Sequence, residues 1–447
     1  MKQICNEVKI IGGGLAGAEA AWQLAERGIQ VLLYEMRPSN TTPAHETGLI
    51  GELVCSNSLG GQKTTTPAGI LKAELTAMGS LLMECADKTK VPAGNALAVD
   101  RILFAEKVDG ALSVHPNIKI IREEIIAIPD GPAIISTGPL TSNAMAEKLK
   151  ELVGDGFLYF FDAVAPIVTL DSIDTSCSFR ANRYGTDGDY INCPMNEEEY
   201  HLFWNELINA ETAMKHSFDE EEMRHFEGCL PVEVIAKRGE QTLLFGPLRP
   251  VGFQSANNGE THYAVVQLRQ DNKEGTLFNI VGFQTNLKWG DQERVFRMIP
   301  ALAEAEFVRK GVMHRNLFVC APKVLDGCLR PIGHKDLFLA GQITGVEGYV
   351  ESIAMGMAAA VFMHSHLCGE LMPFFPQETA IGSLLNYLSN AIPETFQPMN
   401  VNLGIFPKLP GKKIHKRTER CQAYADRSAS AISKFIDDNV FFKNNRL

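Results

Sequence analysis

The feature that most constrains this chain is a glycine-rich turn set between two apolar runs near the amino terminus. Residues 8–28 read VKIIGGGLAGAEAAWQLAERG: a short apolar-biased stretch, three glycines, then an alanine-rich segment. The first part has the character of a buried strand and the last has high helix propensity. Gly12, Gly14 and Gly17 fall on the G-x-G-x-x-G spacing. That spacing lets a chain turn tightly, approach a pyrophosphate closely and pack its helix against the strand. The start of the helix then offers free N–H groups and the positive end of its dipole to phosphate. Residues 30–34, QVLLY, predict the next strand, with Glu35 at its end where an acidic side chain can accept ribose hydroxyls. Together these residues predict a dinucleotide-binding strand–helix–strand unit, for which NAD and FAD serve equally well.

A second stretch decides between the two. Residues 337–360, LFLAGQITGVEGYVESIAMGMAAA, repeat the order of apolar strand, glycine-punctuated turn and small-residue helix, with Gly341, Gln342, Gly348 and Tyr349 in the turn. A flavin domain needs such a second unit to hold the isoalloxazine and its ribityl arm, and a NAD domain does not. At 447 residues the chain exceeds one ordinary core. The expected fold class is α/β, with an FAD-binding Rossmann-type domain built from residues 1–165 and 286–447. A smaller α+β insertion spans residues 166–285, and a basic, helical tail closes the chain. Residues 36–61 predict a long loop entering a short helix, 67–87 one amphipathic helix, and 290–311 another. Three strand-like runs, QTLLFGPL, THYAVVQLRQ and GTLFNIVGFQT, predict a small antiparallel sheet.

The net charge of −11 argues against a generally basic nucleic-acid coat, so a polyanion would have to be met by a local groove. Ten cysteines occur without a C-x-x-C pair or zinc-like spacing, which predicts reduced thiols, no disulfide framework and no metal site. His364 and His366 alternate on a predicted helix and point apart, a poor metal pair. With no signal-peptide pattern and no charge-free run of membrane-spanning length, the expectation is a cytoplasmic protein with no membrane part. Cys55, in ELVCSNSL, and Cys229, in FEGCLPVEV, stand in distant loops among Ser, Asn, Gly and Pro. Two such thiols beside a flavin suggest nucleophilic thiol chemistry, although the local sequence around Cys55 taken alone favours a buried small apolar residue.

Ten ordered segments carry a resemblance over nearly the whole chain. GGGLAGAEAAWQLAERG, LYEMRPSNTTPAHET, ELVCSNSL, VPAGNALAVDR, FEGCLPVEV, YAVVQLRQDN, IVGFQTNLKWG, FVRKGVMHRN, LFLAGQITGVEGYVES and FQPMNVNLGIFP resemble the folate- and FAD-dependent tRNA (uracil-5-)-methyltransferase family, a group of GidA-like flavoproteins. The resemblance implies a reaction. A one-carbon unit from 5,10-methylenetetrahydrofolate is reduced with FADH2, itself regenerated by NADH or NADPH, and becomes the methyl on carbon 5 of uridine 54 in the tRNA T-loop. Carried over by position, Cys229 and Cys55 match the family's two functional cysteines, and Tyr349 matches a residue that stacks on the flavin. A thiolate adding to carbon 6 of uracil would make carbon 5 nucleophilic. That step falls to Cys229, and protection of the reduced carbon or removal of the carbon-5 proton falls to Cys55; on the sequence these roles are exchangeable. A T-loop uridine is buried in the tRNA elbow and must be extruded. Arg180, Arg183, Lys288, Arg309, Lys310, Lys412 and Lys413 are the candidate phosphate contacts. Two other readings stay open: the same chemistry on a uridine of 23S ribosomal RNA, and an FAD-binding oxidoreductase or module without RNA methylation. The sequence leaves the oligomeric state undetermined.

Overall fold

The computed structural model describes residues 7–42, 44–184, 188–213, 230–253, 261–411 and 414–443. The glycine turn does begin a strand–helix–strand unit: strand Glu7–Ile11, helix Leu15–Ala25 and strand Gln30–Tyr34, the two strands paired in parallel. They belong to a five-stranded sheet whose spatial order is Leu337–Leu339, Ala133–Ile135, Glu7–Ile11, Gln30–Tyr34, Ile118–Ile121, with every pairing parallel. The chain first builds outward to one side of Glu7–Ile11 and later adds two strands on the other side. The direction therefore reverses between Glu7–Ile11 and Ala133–Ile135, and ligands of such sheets bind in the crevice beyond the carboxyl ends of the strands at that reversal. Both strands end there, at Gly12 and Ser136.

The second strand–turn–helix unit packs directly on the first. Helix Tyr349–Cys368 is buried on nearly all sides through residue 365, as its Ala/Met/Gly-rich sequence demands. Gly356 permits the contact: a Cβ there would lie 2.3 Å from the Ala16 carbonyl oxygen. The two units share one core, which also receives Tyr424, Ile432 and Phe435 from the long helix Arg417–Asp438.

A six-stranded antiparallel sheet forms a second core. Its order is Phe179–Arg180, Ile191–Met195, Ala264–Gln270, Leu277–Ile280, Ile167–Thr169, Phe307–Arg309. Against it lies helix Glu197–Asn209, started by an Asn196/Glu199 capping box and burying Tyr200, Phe203 and Leu207. An antiparallel ribbon of Phe157–Ala163 and Met313–Val319 carries the chain into and out of this region. Strand Phe307–Arg309 pairs with Ile167–Thr169, and the second core includes Val295 to Ala305, so the expected limit of 285 falls inside this core.

Several local expectations are corrected. The described residues of 36–61 hold no helix; the loop ends instead in strand Ser58–Gly61, paired with Ala96–Val99. The helix expected over 67–87 is two, Pro67–Ala77 and Leu81–Lys88, because Gly79 at φ 77° stops the first and Ser80 caps the second. QTLLF is a 3₁₀ turn, Thr242–Phe245, that leaves Phe245 exposed. The helix expected over 290–311 ends at Phe296: Pro300 opens a separate turn, and the β-branched and aromatic residues after it join the sheet. Among the described residues no helix is long and apolar enough to cross a membrane.

Candidate functional site

The reversal point opens into a cleft of about 950 Å³, partly open to solvent, lined by Gly12, Gly14, Glu35, Thr137, Gly341 and Tyr349 among others. The three fingerprint glycines do different work. Gly12 lies at φ +103°, where a Cβ would be 2.7 Å from the Ser136 carbonyl oxygen, and a Cβ on Gly17 would be 2.0 Å from the Gly12 carbonyl oxygen. Those two are required by the fold itself. A Cβ on Gly14, by contrast, would meet nothing within 4 Å. Since Gly14 also lines the cleft and precedes the first turn of Leu15–Ala25, the space it leaves is where a diphosphate can approach the helix start.

Glu35 stands where expected, buried at the end of its strand, and its carboxylate is held from three directions. One oxygen accepts the Gly13 N–H at 2.8 Å; the other accepts the backbone N–H and Nε of Arg37 at 3.0 and 2.8 Å. Burial alone would raise its pKa, but the Arg37 hydrogen bond and charge outweigh that and hold the carboxyl below its ordinary range. Arg37 also bonds Glu52 at 2.5 Å, so one guanidinium serves two carboxylates and the ribose end keeps an excess of negative charge. Such an excess suits hydroxyl donors. Neither Arg37 nor Glu52 was singled out from the sequence, though Arg37 two residues beyond Glu35 on extended chain shares its side, which is a readable signal.

At the other end of the cleft, Gly341, Gln342, Gly348 and Tyr349 occupy the second turn. Gln342 donates to Glu347 at 2.6 Å, and Gly348 precedes the first residue of helix Tyr349–Cys368. Tyr349 is tied to Cys55: its phenol oxygen accepts the Cys55 backbone N–H at 2.7 Å. Burial, and then the nearby cysteine, push the Tyr349 phenol far up, so it stays neutral. The half-buried Cys55 thiol lies 3.9 Å from the Ala163 carbonyl oxygen. Arg101, on the first turn of a helix capped by Asp100, donates from one nitrogen to the carbonyls of Leu53 and Cys55, each at 3.0 Å. Its other nitrogens form a two-pronged ion pair with Asp271 at 3.0 and 2.9 Å. Arg101, Arg269 and Asp271 are further site residues absent from the sequence-based candidates. Arg269 lies near the end of strand Ala264–Gln270 and Asp271 one residue past it, two positions on, the single local hint.

Cys229 lies outside the described residues, as do Lys412 and Lys413. The residues just after Cys229 are anchored: the Val232 N–H donates to the Gln284 carbonyl at 2.7 Å, and the buried Glu233 carboxylate accepts from Thr285 and from the Asn286 N–H at 2.9 and 2.8 Å. A Cβ on Gly311 would lie 2.5 Å from Thr285 and 2.7 Å from the Val164 carbonyl oxygen, next to Ala163. Val232 and Glu233 thus meet Gln284, Thr285 and Asn286 of the segment IVGFQTNLKWG in space.

With this geometry in view, the comparisons with known proteins are direct. Residues 7–370 match the family model described as glucose inhibited division protein A. A methylenetetrahydrofolate–tRNA-(uracil-5-)-methyltransferase TrmFO from Desulforudis audaxviator is 56% identical over 434 residues, 96% of this chain and 98% of that protein. The TrmFO of Moorella thermoacetica is 55% identical over 425 residues, covering 95% and 97%. The chain belongs to the TrmFO family. Aquifex aeolicus GidA in its form II crystal has the same fold at a TM-score of 0.68 and 15% identity, over 96% of this chain and 73% of that one. The expected GidA-like α/β fold is therefore the observed one.

The cations expected to meet RNA in this family member divide into two groups. Arg180 is exposed, its guanidinium 5.9 Å from the Phe278 ring, and Arg183 is half-buried, bonded to Gln267 at 2.6 Å and 4.9 Å from the Phe253 ring. Lys288 is exposed and paired with Glu211, while Lys310 pairs with Glu293 at 2.5 Å. Arg309 is different: its side chain is only 9% exposed, pairs with Glu46 at 2.8 Å and donates to the Ala44 and Val54 carbonyls at 3.1 and 2.9 Å. It faces the Cys55 segment, so the expectation of a surface phosphate contact is withdrawn for Arg309. Its strand lies beside Ile167–Thr169, and that pairing turns the side chain inward.

Proposed function

We propose that this protein methylates carbon 5 of uridine 54 in the tRNA T-loop, taking the carbon from 5,10-methylenetetrahydrofolate. FAD is the bound cofactor and NADH or NADPH the outside reductant. The observation that carries the reading is similarity at 50–56% identity across nearly the full length of relatives that bear this activity in their names. When bound, the flavin supplies the reducing electrons that turn the transferred methylene into a methyl group.

The chain's own residues take the remaining roles. Gly12, Gly14 and Gly17 shape the diphosphate turn, and Glu35, steadied by Arg37, accepts the ribose hydroxyls. Gly341, Gln342 and Gly348 form the backbone beside the ring system, and the Tyr349 ring stacks on it. The Cys229 thiolate adds to carbon 6 of the extruded uracil, and the electron pair displaced to carbon 5 attacks the one-carbon unit. The Cys55 thiolate then removes the carbon-5 proton as the methylene parts from its carrier, leaving a double bond from carbon 5 to the new carbon. Uptake of a hydride equivalent there makes the methyl group, expels Cys229 and restores the ring. Arg180, Arg183, Lys288 and Lys310 contribute phosphate contacts, together with Lys412 and Lys413. The cofactor domain takes residues 1–165 and the chain after the insertion, with the insertion extended to about residue 309 by the pairing of its last strand.

The test is incubation of purified, yellow protein with unmodified tRNA transcript, methylenetetrahydrofolate and NADH. The expected product is 5-methyluridine at position 54. A methyl mark found only on 23S ribosomal RNA, or NADH oxidation with no RNA product, would overturn the assignment. Cys229→Ala should abolish the covalent complex with 5-fluorouridine RNA.

A further inference from the structure

Three arginine side chains converge on the short segment that carries Cys55, and each is nearly removed from solvent. Arg101 donates to the carbonyls of Leu53 and Cys55 at 3.0 Å, and Arg309 to the carbonyl of Val54 at 2.9 Å. Arg269 donates to Asn57 Oδ1 at 2.9 Å, and the Asn57 amide donates in turn to the carbonyls of Val99 and Gln270. The segment 53–57 is thus held at four points, on Leu53, Val54, Cys55 and Asn57, by cations that come from three distant parts of the chain.

The charges around it do not cancel. Arg101 is matched by Asp271, and Arg309 by Glu46. Arg269 is 8% exposed, and its hydrogen-bond acceptors among the described residues are the amide oxygens of Asn57 and Asn279, with the Tyr190 phenol beside it. The phenols of Tyr190 and Tyr349 are pushed up by burial and supply no charge. A guanidinium this deep is costly without an anion to balance it. Asp271 acts on Arg269 as well, but it is already bonded to Arg101 and one carboxylate cannot balance two guanidiniums. The further described group within reach that can become an anion is the thiol of Cys55, whose own backbone carbonyl accepts from Arg101 and whose neighbour Val54 accepts from Arg309. A thiol beside arginine gives up its proton at lower pH, because the thiolate is the form the cation stabilises.

We infer that Arg269, with Arg101 and Arg309, is a positioning residue that keeps Cys55 as a thiolate in the resting enzyme. The proton leaves to solvent, the sulfur retains the electron pair, and the negative charge that Arg269 lacks is supplied by the sulfur. Arg101, Arg309 and the Tyr349 hydroxyl meanwhile fix the backbone on either side of it. The inference rests on the reading of Cys55 as one of two working thiols, and it assigns that thiol a standing charge before any substrate arrives. It also says why Arg269 is arginine: lysine would keep the charge but lose the planar donation to Asn57.

The test is the pH dependence of alkylation at Cys55 in the full-length, FAD-containing protein, with iodoacetamide as probe and peptide mass spectrometry to separate Cys55 from the other cysteines. In the wild type the half-maximal rate should fall at least one pH unit below the value of about 8.5 for a free thiol. Arg269→Gln should raise that midpoint by about one unit, slowing Cys55 alkylation roughly tenfold at pH values below both midpoints while the other cysteines are unchanged. Arg269→Lys should keep the low midpoint. A wild-type midpoint at or above the free-thiol value overturns the inference whether or not any variant folds. So does an unchanged midpoint in a yellow, folded Arg269→Gln protein. Neither RNA nor folate is present, so failure of methylation with a low Cys55 midpoint would count against the proposed function and leave this inference standing.

Discussion

The two ends of the cofactor cleft are built on opposite plans. At the ribose end, one continuous segment supplies the turn, the helix start and Glu35, and two carboxylates share the single guanidinium of Arg37. At the cysteine end, Cys55, Arg101, Arg269 with Asp271, Arg309 and Tyr349 arrive from five separate stretches, and the three guanidiniums there outnumber the one buried carboxylate, Asp271. The first end has the chemistry to suit hydroxyl donors and an anion approaching peptide N–H groups. The second stabilises an anion.

The contrast can be broken most forcefully at the cysteine end. Arg101→Met removes one member of the buried pair and strands Asp271, with an expected loss of about 3–5 kcal/mol of folding stability in chemical unfolding. A loss under about 1 kcal/mol would mean that the pair behaves as a surface contact. At the ribose end the glycines separate fold from ligand. Gly17→Val drives a side chain into the Gly12 carbonyl and should cost about 1–3 kcal/mol, with flavin binding lost alongside. Gly14→Val extends into open cleft, so the apoprotein should unfold within about 0.5 kcal/mol of wild type while FAD titration shows at least a tenfold weaker affinity. Equal destabilisation by the two valines would refute the division of labour among these glycines.

Two smaller effects sharpen the comparison. Tyr349→Phe deletes the acceptor for the Cys55 N–H and should cost about 1 kcal/mol in thermal unfolding, with methylation slowed and flavin absorbance retained. Acid should act through the ribose end. The Glu35 carboxyl has a folded pKa below its unfolded value, so its contribution is present above the ordinary carboxylate range and is lost as pH falls through the lower folded value. Wild type should lose stability on acidification more steeply than Glu35→Gln when urea midpoints are compared between about pH 3 and 6. Parallel curves would show that Glu35 is not held by Arg37 in solution.

Much of this molecule is legible because the relevant signals are local. The first strand, its helix and the strand Gln30–Tyr34 follow from an apolar run, a glycine spacing and a second apolar run. The helices Glu197–Asn209 and Tyr349–Cys368 are equally readable. Where reading failed, a breaker was undervalued: Gly79 divides the helix expected over 67–87, and Pro300 ends the one expected over 290–311.

The sequence by itself determined the glycine turn, the pairing of two strand–turn–helix units and the family, because backbone geometry and a fixed order of motifs are properties of contiguous residues. Only the tertiary structure decided that Arg309 points inward, that Arg37 stands between two carboxylates and that Arg269 reaches Asn57 in the Cys55 segment while the nearby Asp271 is bonded to Arg101. Charge balance in a buried site depends on which distant residues share a low-dielectric space, and no spacing along the chain records that.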